Sequence, residues 1–119
     1  MKVAIIGASP KPERYAYMAF KKLLEKGHEV YLIHPKLEEI EGHNVFHSLK
    51  DIPVPIDTIT LYVGPDTSSL YQDDIISLRP RRVIFNPGAE NPALSEALSK
   101  EKIMALEACT LVLLSTSQF

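Results

Sequence analysis

The chain has 119 residues, 45% of them apolar and 24% charged, with 13 basic and 15 acidic side chains giving a net charge of −2. That size and composition fit one ordinary globular domain with its own core and exclude an enzyme built from separate substrate and nucleotide domains. The near-balanced charge excludes general nucleic-acid binding, and the single cysteine, Cys109, excludes an internal disulfide and a Cys-rich zinc site.

In chain order, Val3 to Ile6 is a continuous apolar run ending at Gly7, the pattern of a strand buried on both faces of a parallel sheet. Ala16, Ala19, Phe20, Leu23 and Leu24 then form one apolar helical stripe, with Pro12 suited to an early helical position and Gly27 to the stop. Val30 to Ile33 reads as a second buried strand, and Val45-Phe46 as a short edge strand after a turn at Glu41 to Asn44. Asp57 to Val63 is the next strand. Pro65-Asp66 announces a helix with Asp66 as N-cap, presenting Tyr71, Ile75 and Leu78 on one face and ending at Pro80. Arg82 to Phe85 is a strand, followed by the turn Asn86-Pro87-Gly88. Asn91 caps a helix with Pro92 at its first position and Leu94, Ala97 and Leu98 inward. Ile103 to Leu106 is a last strand. The tail from Cys109 to Phe119 is open between strand and helix, because its short apolar run shows no period.

Alternating strands and helices predict a Rossmann-like, doubly wound α/β fold over residues 1–119, with five to six parallel strands in the order 3-2-1-4-5-6. No apolar run is long enough for a signal peptide or membrane span, so the sequence predicts a cytoplasmic protein without membrane or nucleic-acid partners. The apolar tail offers either closure of the core or a surface for a homodimer or partner protein.

In this fold ligands sit beyond the carboxyl ends of the strands. Gly7-Ala8-Ser9-Pro10-Lys11-Pro12-Glu13-Arg14 joins a strand to a helix, so its amides and the helix dipole favour an anion. The G-x-G-x-x-G fingerprint is absent, since Ser9 and Pro12 hold the second and third glycine positions. The end of strand 2, His34-Pro35-Lys36, lacks the acidic residue that grips the ribose of NAD. Lys36 suits a phosphorylated ribose, which NADP and coenzyme A both carry. The histidines show no metal-ligand spacing, and no nucleophile-base or paired-carboxylate motif is evident, so the sequence points away from catalysis.

Gly7-Ala8-Ser9 with Arg14, Ile33-His34-Pro35-Lys36, Ile40-x-Gly42-x-x-Val45-Phe46-x-Ser48-Leu49, Pro87-Gly88-Ala89-Glu90-Asn91 and Glu107-Ala108-Cys109-Thr110-Leu111 occur in an order that resembles the small coenzyme A-binding proteins. Their single domain is similar to the N-terminal domain of the succinyl-CoA synthetase α subunit. The resemblance implies that the chain binds coenzyme A or an acyl-CoA. It implies that Gly7, Ala8, Ser9, Lys11 and Arg14 hold the diphosphate, and that His34, Pro35 and Lys36 flank the adenosine. It places Val63, Gly64 and Pro65 along the cleft, and Asn86, Pro87, Gly88 and Cys109 near the pantetheine end. The family commonly has Asn in place of His34, and a Trp-x-Gln segment where this chain has Phe85-Asn86-Pro87.

Overall fold

The computed structural model describes residues 1–119. Its centre is β1 (Lys2–Ile6), which pairs in parallel with β2 (Glu29–Ile33) on one side and β5 (Thr58–Leu61) on the other. The other strands are β3 (Glu39–Ile40), β4 (His43–Phe46), β6 (Arg82–Phe85) and β7 (Met104–Glu107). The seven-stranded sheet has the order β3-β4-β2-β1-β5-β6-β7. Without β3, its parallel strands follow the predicted 3-2-1-4-5-6 path. β3 is the additional strand, antiparallel to β4 and joined to it by Glu41-Gly42. Both turn residues have positive φ, 50° and 81°, as a two-residue hairpin of this hand requires.

The apolar run of β1 divides between two faces. Val3 and Ile5 pack with Ala16, Phe20 and Leu23 of α1 (Tyr15–Glu25). Ala4 and Ile6 join Ile75 of α3 (Gln72–Leu78) and Leu94 and Leu98 of α4 (Pro92–Lys100) in the other core. Alternate side chains of a strand point to opposite faces, so a strand covered on both sides must be apolar throughout.

Several boundaries differ from the sequence reading. α1 begins at Tyr15, because Arg14 is still extended (φ −83°, ψ 140°) and Pro12 lies in the preceding turn. Asp66 is not the cap of α2 (Pro65–Ser68). Gly64 takes that place, and Pro65 occupies the first position that its fixed φ suits. A 3₁₀ turn at Ser69–Tyr71 separates α2 from α3, and left-handed Arg79 (φ 51°) ends α3 just before Pro80. Asn91 caps α4 as expected, its side chain accepting from the Leu94 N–H at 3.0 Å. The tail forms α5 (Thr110–Ser115), which buries Leu114 in the α1-side core and leaves Val112 exposed. No helix is long and apolar enough to cross a membrane.

Candidate functional site

The chain leaves β1 toward β2 and later returns to β5 on the opposite side, so the loops at the carboxyl ends of these strands diverge around a gap. That gap is a cleft of about 770 Å³ walled by the loops after β1, β2, β5 and β6.

The first loop turns on Gly7, at φ 93°. A Cβ there would lie 2.8 Å from Val63 Cγ1 and 3.0 Å from the Tyr62 carbonyl oxygen, so the β5 loop closes on a position that has no room for a side chain. The Gly7 and Ala8 amides both donate to the Ile33 carbonyl, at 3.2 and 3.1 Å, which locks this loop to the end of β2. The donors left for a ligand therefore start at Ser9, whose amide has no partner. Its hydroxyl accepts from the Lys11 N–H at 3.2 Å. Pro10 and Pro12 have no N–H to give.

Helix α1 continues this array of free donors. Its first turn has no acidic residue and no side-chain cap. The first amide bonded back is that of Met18, to the Arg14 carbonyl at 3.1 Å, so the amides of Tyr15, Ala16 and Tyr17 are unpartnered. Lys11 and Arg14 stand exposed beside them on the cleft wall. Free amides, the positive end of a helix and two cations together favour negative charge at this end of the cleft.

On the β2 side, His34 and Pro35 line the cleft. His34 Nδ1 accepts the amides of Lys36 and Leu37, at 3.0 and 3.2 Å. The imidazole thus holds the turn together as an Asn side-chain oxygen would. On the β5 side, Tyr62, Val63 and Gly64 line the cleft. The Tyr62 hydroxyl is buried without a hydrogen-bond partner. Burial pushes its pKa up to about 12, although the nearby Thr110 and Thr60 side chains pull the other way.

On the β6 side, Asn86, Pro87 and Gly88 line the cleft. The Asn86 side chain is committed to the protein. Its Nδ2 donates to Thr60 Oγ1 at 2.6 Å and the Leu61 carbonyl at 2.9 Å, and its Oδ1 accepts the Thr110 N–H at 2.9 Å. It ties β5, β6 and the start of α5 together and keeps little polar capacity for a ligand. The Gly88 amide is held by the Glu90 carboxylate at 3.0 and 3.2 Å.

The cleft gathers Gly7, Ala8, Ser9, Lys11, Arg14, His34, Pro35, Val63, Gly64, Asn86, Pro87 and Gly88 from the predicted set. Lys36, Pro65 and Cys109 are not on its walls. Lys36 is exposed beyond the His34 turn. Pro65 starts α2 and gives its carbonyl to Asn91 Nδ2 at 3.1 Å. Cys109 is half-buried just before α5. Sequence reasoning missed Tyr15, Tyr62 and Tyr71. Tyr15 and Tyr62 flank segments that the reading did single out; Tyr71 was assigned to a core-facing helix stripe. No group of three or more His, Cys, Asp or Glu side chains is placed to hold a metal ion.

The model of the CoA binding domain matches residues 1–115. The chain belongs to the CoA-binding domain family. Among solved structures, an uncharacterized protein is 42% identical with a TM-score of 0.93, the match covering 99% of this chain and 97% of that one. A hypothetical protein from Pyrococcus horikoshii OT3 is 33% identical with a TM-score of 0.88, over 92% and 78% of the two chains. Among curated proteins, the uncharacterized protein YneT of Bacillus subtilis (strain 168) is 31% identical over 61 residues, 51% of this chain and 45% of YneT. The alpha subunit of the ADP-forming acetate–CoA ligase II of Pyrococcus furiosus is 37% identical over 62 residues, 51% of this chain and 14% of the subunit. The match thus spans less than half of either curated relative. The CoA-binding resemblance read from the sequence agrees with this family membership.

Proposed function

We propose that this domain binds coenzyme A or an acyl-CoA in the cleft and does not itself transform it. The observation that carries the reading is the set of unpartnered amides at Ser9, Tyr15, Ala16 and Tyr17, flanked by Lys11 and Arg14 at the cleft wall. These groups take the diphosphate. The His34-Pro35 turn flanks the adenosine, with Lys36 supplying positive charge from outside. Val63 and Gly64 guide the pantetheine toward Pro87 and Gly88. Cys109 stands outside this path. The non-catalytic reading is supported by the side chains of the β6 loop, where Asn86 and Glu90 are engaged in holding the backbone.

Isothermal titration with coenzyme A, dephospho-CoA, NAD and NADP at one fixed salt concentration tests the ligand. Coenzyme A binds most tightly on this reading. No binding up to millimolar coenzyme A, or tighter binding of NADP, overturns it. Incubation with acetyl-CoA, followed by free thiol, tests the second half. Thiol release above the buffer rate shows catalysis and removes that part.

A further inference from the structure

His34 stands where a doubly wound nucleotide site meets the ribose. Its ring is half-buried on the cleft wall. Two backbone amides, from Lys36 and Leu37, converge on Nδ1 at 3.0 and 3.2 Å. A nitrogen that accepts two N–H groups carries no proton of its own, so in the neutral ring the proton sits on Nε2. Nε2 has no partner within the protein, and it is the one polar atom of the ring left for a ligand. The turn therefore fixes the tautomer and turns an amphoteric side chain into a donor only.

Resting on the coenzyme A reading above, we propose that His34 is the residue that selects a phosphorylated ribose, by presenting a tautomer-locked Nε2–H donor at the end of β2. A phosphate monoester offers only acceptors and matches this donor. A ribose diol, as in NAD, can also accept this donor, but only through a neutral oxygen, and it finds no acceptor at His34 for its own hydroxyl protons, so the charged monoester gains more. Lys36, exposed just beyond the turn, adds charge, and His34 on the cleft wall supplies the directional contact.

The lock is read directly by ¹⁵N nuclear magnetic resonance of the histidine rings in the unliganded protein, in alkaline buffer. The expected result is the Nε2–H tautomer alone at His34. An Nδ1–H ring, or rapid averaging of the two forms, overturns the lock. The selectivity is read with His34→Asp. An aspartate keeps an acceptor for the Lys36 and Leu37 amides but presents a negatively charged acceptor to the ligand. The ratio of coenzyme A to dephospho-CoA affinity should fall at least about tenfold, the scale of one charge-assisted hydrogen bond. His34→Asn, whose Oδ1 can hold the turn while Nδ2–H still donates to the ligand, should leave the ratio close to wild type. An unchanged ratio in His34→Asp, with the ligands still bound, overturns the selectivity role. If wild type binds no coenzyme A, the functional reading and the ligand half of this proposal fall together. The tautomer measurement then still decides the lock by itself.

Discussion

At the carboxyl end of the sheet the amides of Ser9, Tyr15, Ala16 and Tyr17 have no partners, whereas at the amino end of the same strands the polar groups are tied to one another. The Met1 ammonium donates to His28 Nδ1 at 3.1 Å. Arg82 Nε donates to Thr58 Oγ1 at 2.9 Å, and its guanidinium lies 4.4 Å from the Phe119 ring centre. Arg81 bridges the Asp57 carboxylate at 3.1 Å. Burial pushes the Asp57 carboxyl up, but hydrogen bonds from Arg81 and Thr58 and the charges of both arginines outweigh it and hold the group below its ordinary range. Burial lowers the pKa of His28, reinforced by the neighbouring ammonium. The contrast shows a division of labour along one set of strands. The amino end closes the core, and the carboxyl end keeps donors that no protein group satisfies.

The strongest way to break this division is at Gly7. Gly7→Ala forces a Cβ into Val63 and the Tyr62 carbonyl at a positive φ. It should cost about 3 kcal/mol in urea unfolding and weaken coenzyme A binding as well. Gly64→Ala is the control, since Gly64 has φ −71° and open space for a Cβ, and stability should hardly move.

Arg14→Ala separates the ends in the other direction. Its side chain is exposed and does not cap α1. Titration should show about a tenfold loss of coenzyme A affinity and a shallower salt dependence, with the unfolding curve unchanged. Phe119→Ala is the complement. It uncovers Arg82 and His28, and should lower stability by about 1 kcal/mol while leaving coenzyme A affinity alone.

The smallest effect belongs to Tyr62→Phe, which removes a buried hydroxyl without a partner. It should raise stability by up to about 1 kcal/mol at neutral pH. The same residue sets an alkaline limit. Its pKa rises on folding from 10.0 to about 12, so its ionisation leaves stability untouched below pH 10 and opposes folding increasingly as pH rises through that interval. The alkaline fall in the melting temperature should therefore be shallower in the phenylalanine variant.

The parallel strands were legible because burial on both faces leaves an unbroken apolar run, as in Val3 to Ile6. The loop after β1 was legible as a cleft-lining loop because glycine, serine and basic residues follow such a run. Other features had no local signal. Two residues, Glu39–Ile40, are too few to show a strand period, so β3 escaped. The start of α1 was misplaced because Pro12 is compatible both with a helix and with the turn before it. The tail became a helix through packing of Leu114 against the α1 side, which its own run of apolar residues does not encode. Asn86 was recognisable as a polar residue at a strand end. Only the fold shows that its amide is taken by Thr60, Leu61 and Thr110. His34 illustrates the reverse. The sequence identified the position, and the geometry showed which of its two nitrogens faces the backbone and which is free.

The cluster of Met1, His28, Arg82 and Phe119 brings residues 1 and 119 together at the amino end of the sheet, away from the cleft. Geometrically, such a domain can be carried as a module. A fused partner, an affinity tag or a host chain entering at one end and leaving at the other would attach behind the sheet. The ligand mouth would stay open, and a short linker between residues 1 and 119 would offer a natural starting point for circular permutation.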